Sequence, residues 1–410
     1  MKKLLLVLLI LSLFINHLNA NEKDLNIIQK DKKEYRLLEK ESIQIRQQSQ
    51  KYDWISPIDL SGNIGRNHSF SDENSRNLNN KNTKSASIGF TQSIFESGGI
   101  GFKMDYADNR FKYEMLSWEN QNSQLIYTIY NTLLDIKKLK LEINQNDYRI
   151  VNKDIELIIK KIQYEAGKTD IIELNNAIMS KNLILKEEIA LKNSLKEKEQ
   201  ELAKYTDLKY DEIEILDFQE TNKDIFLDKN YSILEADAKV EMLNSEYKIK
   251  KSQYLPKLSL SAKASYSSQD EKFNSMINDT NKDDATSSGS LILSMPLYDY
   301  TKSSKIQESK IEVLKQKALV NDLKNETAFE YEQIFTKIDT YLKQNETINK
   351  NIKLYEELIG ANQISSEAGM TSKYDLEILE NTKTINEFDI LINKINILQQ
   401  YAKLYFKIKN

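Results

Sequence analysis

Glu165-Ala-Gly-Lys-Thr169 returns as Glu367-Ala-Gly-Met-Thr371, 202 positions later. Upstream of each, Gln92-Ser-Ile-Phe-Glu96 has a counterpart in Met295-Pro-Leu-Tyr-Asp299, which sets Phe95 against Tyr298 at an offset of 203. Pro57 and Pro256 each follow a helical stretch and open a segment of alternating apolar and small polar residues. Landmarks in one order at nearly one offset make half of the chain a complete structural unit and the other half its copy. Internal repetition of this kind governs every later assignment.

Residues 1–20 read as a secretory signal. Lys2 and Lys3 precede the apolar run Leu4 to Ile15, and Leu18-Asn19-Ala20 ends in a small residue suited to cleavage. The run is short for a membrane-spanning helix. With no cysteine anywhere, a lipid anchor after Ala20 and any disulfide are excluded. The formal charge of −4 is spread among interspersed acids and bases, which argues against nucleic acid as a partner. Only 3 prolines and 10 glycines occur in 410 residues, so long uninterrupted helices are permitted.

Most of that punctuation falls in or beside four alternating segments. Ile58, Leu60, Gly62 and Ile64 interleave with Asp59, Ser61 and Asn63. Ala86, Ile88, Phe90 and Ile94 interleave with Ser85, Ser87, Thr91 and Ser93. In the second half, Leu258, Leu260, Ala262, Ala264 and Tyr266 alternate with serines and Lys263, and Leu291, Leu293 and Met295 follow suit. Period two gives each strand one apolar and one polar face. Strands are expected at about 57–66, 85–95, 257–267 and 287–297, with polar loops from Ser69 to Lys84 and from Ser267 to Thr286. Roughly 9–11 residues suffice for a tilted strand to cross a bilayer. Alternation of this kind fits an outer-membrane barrel strand and equally a half-buried sheet in a soluble protein.

Between these segments run helices. No proline interrupts Gly101 to Gln163 or Thr301 to Ser365. At 1.5 Å per residue each would be ~90–100 Å long. Val151, Ile155, Ile158 and Ile162 step by 4, 3, 4, and Ile334, Ile338, Tyr341, Ile348, Ile352, Tyr355 and Ile359 keep a similar rhythm, with Asn345 in the polar slot. A seam of this period must pack on neighbouring helices. Returning helices are expected over Asp170 to Tyr205 and Ser372 to Lys409, and lead-in helices over Glu22 to Lys51 and Lys223 to Tyr254. The domain plan is therefore a first repeat over 21–205, a linker over 206–221 and a second repeat over 222–410.

Four strands cannot enclose a lumen, and lipid does not tolerate their open edges. If they enter a membrane, several chains must each contribute four. Three copies give twelve strands, with the helices continuing the wall as a tube.

At this point the chain resembles the TolC family of trimeric outer-membrane efflux proteins. The resemblance covers essentially all of the mature chain. It is carried by the duplicated order of elements, by Gln92-Ser-Ile-Phe-Glu-Ser-Gly-Gly99 and Met295-Pro-Leu-Tyr-Asp299, and by the turns Tyr164-Glu-Ala-Gly-Lys-Thr-Asp-Ile-Ile-Glu-Leu174 and Glu367-Ala-Gly-Met-Thr-Ser-Lys-Tyr-Asp-Leu376. It implies a mainly α fold with membrane β: a trimer whose twelve-stranded outer-membrane barrel continues as a periplasmic α-helical coiled-coil barrel. The implied function is an exit duct of a tripartite efflux or type I secretion system. Implied partners are two further copies, outer-membrane lipid, a periplasmic adaptor and an inner-membrane transporter. The acid six residues past the turn glycine would line the periplasmic aperture, here Asp375, with Glu173 its equivalent in the first copy. Some members add a second acid three positions on. This chain has Ile378 and Asn176 there, so a thinner acidic ring is expected. The tips Gly167, Lys168 and Thr169, and Gly369, Met370 and Thr371, would meet the adaptor.

The same positions make physical sense without the resemblance. A turn glycine permits positive φ after a helix end, and Thr169 or Asp170, and Thr371 or Ser372, can cap the returning helix. Three carboxylates around a narrow pore would attract cations, whereas isolated first-turn acids merely complement a helix dipole. Gly167-Lys168-Thr169 resembles the end of a phosphate loop, but Ile162 occupies the place of its first glycine. Past residue 20, His68 is the one histidine, which with no cysteine leaves no triad and no zinc site. No enzyme activity, metal or cofactor is expected. Tyr254, Tyr266, Tyr298 and Tyr300 cluster at strand ends, either as an interfacial girdle or as ordinary core. The rival reading is a secreted or envelope-attached coiled-coil adhesin or scaffold, which explains the heptads but not the paired amphipathic hairpins.

Overall fold

The computed structural model describes residues 25–69, 79–216, 218, 220–270, 282–367 and 372–409. The signal segment expected at 1–20 lies outside them. A 3-10 turn at Leu25–Ile27 leads into α1 (Lys30–Tyr52), β1 (Asp59–Ser69), β2 (Asn79–Phe95), α2 (Gly99–Glu165) and α3 (Ile171–Leu202). The second half follows as α4 (Lys223–Asp228), α5 (Tyr231–Ser252), β3 (Lys257–Asp270), β4 (Lys282–Ser294), α6 (Lys302–Glu367) and α7 (Lys373–Tyr405). The chain forms two compact units. One comprises Met1–Lys40, Leu116–Leu234 and Asn321–Asn410, the other Glu41–Met115 and Glu235–Val320.

The second of these contains the sheet, a four-stranded antiparallel meander in the order β1-β2-β3-β4. The repeats meet at its centre, where β2 of one copy pairs with β3 of the other. One face is apolar. Leu60 pairs with Ile88, Phe90 with Ala262, Leu260 with Leu291, and Leu258 with Leu293. Leu60 is 79% exposed and Leu293 73%. The other face is a ladder of hydroxyls: Ser61 with Ser87 (2.8 Å), Thr91 with Ser261 (3.1 Å), Ser93 with Ser259 (3.3 Å) and Ser265 with Thr286 (2.8 Å). Cross-strand hydroxyl pairs of this sort stabilise a sheet modestly, each by about 0.2–1 kcal/mol. In the same unit the core is made by Ala107, Ala238, Val313 and Tyr254, and Arg46 meets Glu114 at 2.9 Å.

Strand limits differ from the apolar pattern. β2 begins at Asn79 and β4 at Lys282, in stretches read as loop, because backbone pairing with Ile64–Ser69 and Tyr266–Gln269 needs no apolar alternation. β4 ends at Ser294 rather than reaching Leu297, because Pro296 has no N–H to offer a ladder. At the β2–α2 junction Ser97 (φ +52°) and Gly98 (φ +89°) reverse the chain, and the Ser97 hydroxyl donates to the Pro256 carbonyl at 2.7 Å.

The other unit is helical. Ile129, Leu133, Leu134 and Ile136 of α2 are fully buried, and Phe226, Ile334, Ile338, Leu404 and Ile408 form one cluster. Tyr130 stacks on Phe406 and Phe218 meets both edge to face, with ring centroids 5.5–5.9 Å apart. The helix expected over Lys223–Tyr254 is interrupted between α4 and α5. The Tyr231 amide donates to the Lys407 carbonyl (2.9 Å) and the Lys409 amide to the Lys229 carbonyl (2.8 Å). A short antiparallel bridge from the C-terminal segment thus takes the backbone groups that a continuous helix would use, and the Asn230 side chain caps the restart by accepting from the Ser232 amide (3.0 Å). The N-terminal side is pinned by Arg36, which donates to Asn122 (2.6 Å) and to the Trp118 carbonyl (2.9 Å) while the Trp118 indole returns a bond to the Arg36 carbonyl (2.7 Å).

Candidate functional site: the hairpin turns

The turn between α2 and α3 follows from three residues. Gly167 adopts φ +69°, and its amide donates to the Tyr164 carbonyl (2.9 Å) while the Lys168 amide reaches the Gln163 carbonyl (2.8 Å). These bonds satisfy carbonyls that a helix end leaves open. Asp170 then caps α3, its carboxylate accepting from the Glu173 amide at 2.9 Å. Of the two capping candidates, Asp170 takes the role. Lys168 is exposed and Thr169 half-buried.

Glu173 sits in the first turn of α3, where Lys160 of α2 meets its carboxylate at 3.0 Å. The Glu173 side chain remains 51% exposed. Its equivalent Asp375 sits in the first turn of α7, which Ser372 caps by accepting from the Tyr374 amide at 3.2 Å. Asp375 is exposed and forms no ion pair with a described residue. Gly369, Met370 and Thr371 lie outside the described residues.

Behind the turns the helices are joined by polar side chains. Between α2 and α3, Asp154 meets Lys181 (2.5 Å) and the Asn146 amide reaches the Ile184 carbonyl (3.4 Å). Between α6 and α7, Lys383 meets Glu356 (2.9 Å) and Asn393 donates to Asn345 (2.9 Å). The polar slot at Asn345 therefore has a partner on the facing helix.

A third set links α2 to α7. Gln145 donates to Asp389 (2.7 Å) and to the Ile385 carbonyl (2.9 Å), Asn381 donates to Asn152 (2.9 Å), and Gln399 donates to Asp135 (2.7 Å). Sequence reading passed over this amide set. The seven-residue spacing of Gln145 and Asn152 was the available signal, since it puts both on one helix face. Nearby, burial pushes the Glu142 carboxyl up, with Asp135 and Glu187 adding to the effect against Lys138 and Arg149. At Glu330 burial also pushes upward, but hydrogen bonds and charge from Lys403 and Lys407 outweigh it and hold the carboxyl below its usual value.

Among the described residues no group of acids and histidines is arranged to hold a metal, and no helix is long and apolar enough to cross a membrane. No curated protein matches by sequence. Residues 224–403 match the family model described as outer membrane efflux protein. Among solved structures, the outer membrane protein VceC of Vibrio cholerae superposes with a TM-score of 0.72 at 11% identity, over 93% of this chain and 94% of that one. The CmeC outer membrane channel of Campylobacter jejuni gives 0.70 at 12% identity, over 93% and 86%. The open MtrE outer membrane channel of Neisseria gonorrhoeae gives 0.68 at 11%, over 94% and 88%. Identities this low establish the shared fold, and the family model covers the second repeat alone. The second repeat thus matches the outer membrane efflux protein family, and the chain as a whole shares the fold of these outer membrane channels.

Proposed function

We propose that three copies of this chain close one passive duct, with twelve strands in the outer membrane and the helices extending through the periplasm. Efflux across the outer membrane is the family's work, and its channels belong to tripartite systems. The observation that carries the trimer is the sheet. It has four strands, one apolar face, one hydroxyl face, and two edges, β1 and β4, that no other described strand covers. A sheet with an apolar outside and a polar inside suits lipid only when its edges are closed.

In this reading an inner-membrane transporter supplies the energy. A periplasmic adaptor meets the turns at Gly167-Lys168-Thr169 and Gly369-Met370-Thr371. Asp375 lines the aperture, and its exposed place in the first turn of α7 supports that role. Glu173, matched by Lys160, belongs to the supporting turn. A coiled-coil adhesin accounts for the long helices but gives the two-faced sheet no purpose.

The test is native mass and heat-modifiable migration of the protein from outer-membrane extracts. A heat-sensitive trimer is expected, whereas a loosely attached monomer would sink the duct. A deletion strain, compared for sensitivity to toxic compounds and for missing secreted proteins, separates small-molecule efflux from protein secretion.

A further inference from the structure

β4 ends at Ser294, and the chain then passes Pro296 into α6 by way of Leu297, Tyr298 and Tyr300, which are 90%, 85% and 87% exposed. Upstream, the alternate positions Leu291, Leu293 and Met295 are exposed as well. One apolar surface therefore runs along β4 and past its end. Beyond it, a cavity of about 730 Å³ opens between α5 and α6, lined by Tyr247, Tyr300, Ile306 and Leu314 together with Lys302 and Lys310.

The two lysines have no acid to answer them. Asp299, the one carboxylate in the lining, accepts from the Thr301 amide (2.8 Å) and hydroxyl (2.7 Å) and faces Lys305 at 3.9 Å. Lys302 rests instead against the Tyr254 ring, its Nζ 5.3 Å from the ring centre. Neither Lys302 nor Lys310 pairs with a described carboxylate.

The first repeat has no such place. At the offset of 203 that relates Tyr298 to Phe95, Lys302 matches Gly99 and Lys310 matches Ala107. A Cβ on Gly99 would stand 2.8 Å from the Ser252 hydroxyl, and Ala107 is fully buried. Packing closes in copy one what copy two leaves open with two cations in it.

Resting on the outer-membrane reading, we infer that this cavity seats the headgroup of an anionic glycerophospholipid from the periplasmic leaflet, with an acyl chain along Leu291, Leu293 and Leu297. The helices leave the sheet at this end, so in the proposed duct it faces the periplasm. Helical side chains lean toward the N-terminus, which on α6 is the sheet end, so the stems of Lys302 and Lys310 lean toward the level of a phosphate. Basic pockets of this kind suit anionic headgroups, and tyrosines suit the boundary between acyl chains and headgroups. An ethanolamine headgroup would set a further cation beside the two lysines. Charge complementarity therefore selects a lipid of net negative charge.

The full-length protein is extracted from outer membranes in mild detergent, stripped of lipid and exchanged into nanodiscs of phosphatidylethanolamine containing phosphatidylglycerol. Native mass spectrometry then reads the lipid each trimer retains. The parent is expected to hold phosphatidylglycerol above its share of the disc. Lys302→Gln with Lys310→Gln should lower that enrichment on the order of tenfold. Lys302→Arg with Lys310→Arg should keep it, as should Lys315→Gln, which lies outside the cavity and 3.8 Å from Glu312.

Equal retention of the two lipids by the parent would overturn the site, as would undiminished enrichment in the double glutamine variant. Either result leaves a trimer, and with it the duct, intact. Lipid carried through from the native membrane is identified in parallel. Lipopolysaccharide there in place of phosphatidylglycerol would also overturn the site, since it occupies the opposite leaflet. Recovery of the parent only as a lipid-free monomer would remove the duct reading as well.

Discussion

Lys160 Nζ and Glu173 Oε2 stand 3.0 Å apart across the first hairpin turn, a cation with no described equivalent beside Asp375 in the second. The two copies therefore present different charge at matching places. Asp375→Asn is expected to lower the cation-over-anion preference of the duct several-fold, read as a shift in reversal potential across a planar bilayer. Glu173→Gln should shift it little, and Lys160→Met should raise it by freeing the acid. An unchanged reversal potential for Asp375→Asn would remove that residue from the aperture.

The bond from Gln145 to Asp389 joins α2 to α7 through a buried glutamine. Gln145→Leu leaves that carboxylate and the Ile385 carbonyl without their donor, at a cost on the order of 1–3 kcal/mol. The expected result is a lower melting temperature and faster proteolysis within α7. A double-mutant cycle with Asp389→Leu should recover part of the loss, since the carboxylate is then no longer left without its donor.

Glu330 is held below its ordinary pKa by Lys403 and Lys407, at 2.8 and 2.5 Å. A depressed carboxyl stabilises the fold above its unfolded-state pKa and loses that contribution as pH falls through its folded value. Glu330→Gln should therefore melt earlier than the parent at neutral pH. The two curves should converge under acid, and a difference that persists there would contradict the assignment.

Glu142 behaves in the opposite sense. Its raised pKa stabilises the protonated form, a contribution that is lost as pH rises through the folded value. Glu142→Gln is expected to be more stable than the parent at neutral pH and no more stable in acid. Thermal melts at two pH values decide it.

Gly167 has φ +69°, and an added Cβ would meet nothing within 4 Å. The cost of Gly167→Ala is then purely conformational, about 1–2 kcal/mol. Asp170→Ala should cost a further ~1 kcal/mol by removing the cap. Both should appear as faster amide exchange confined to the turn.

Much of this fold was legible because two periodicities alternate along the chain. Leu60 through Ile64 and Leu258 through Tyr266 announced strands, and the proline-free runs announced α2 and α6. The gap between α4 and α5 was hidden, because it is imposed by Lys407 and Lys409 from the far end of the chain rather than by local residues. The polar beginnings of β2 and β4 were hidden for a related reason, since their pairing is a backbone matter. At the turns, positive φ at Gly167 and a cap at Asp170 could be read from residue type. The ion pair of Lys160 with Glu173 could not, because it depends on how two helices meet. The amides linking α2 and α7 were passed over as mere composition, although Gln145 and Asn152 carry the helical spacing of an interface.

The hydroxyl face of the sheet has a further consequence. Among the side chains described on it are Asp59, Asp284, Lys257 and Lys263, and most of its width is serine and threonine. A hydroxyl both gives and accepts hydrogen bonds, so such a surface wets evenly and can meet donors and acceptors alike. In the proposed trimer a barrel lined this way would be a permissive conduit, with discrimination left to the acidic turns. A descendant of this chain could then change its cargo by rewriting a few turn residues while the strands stay as they are.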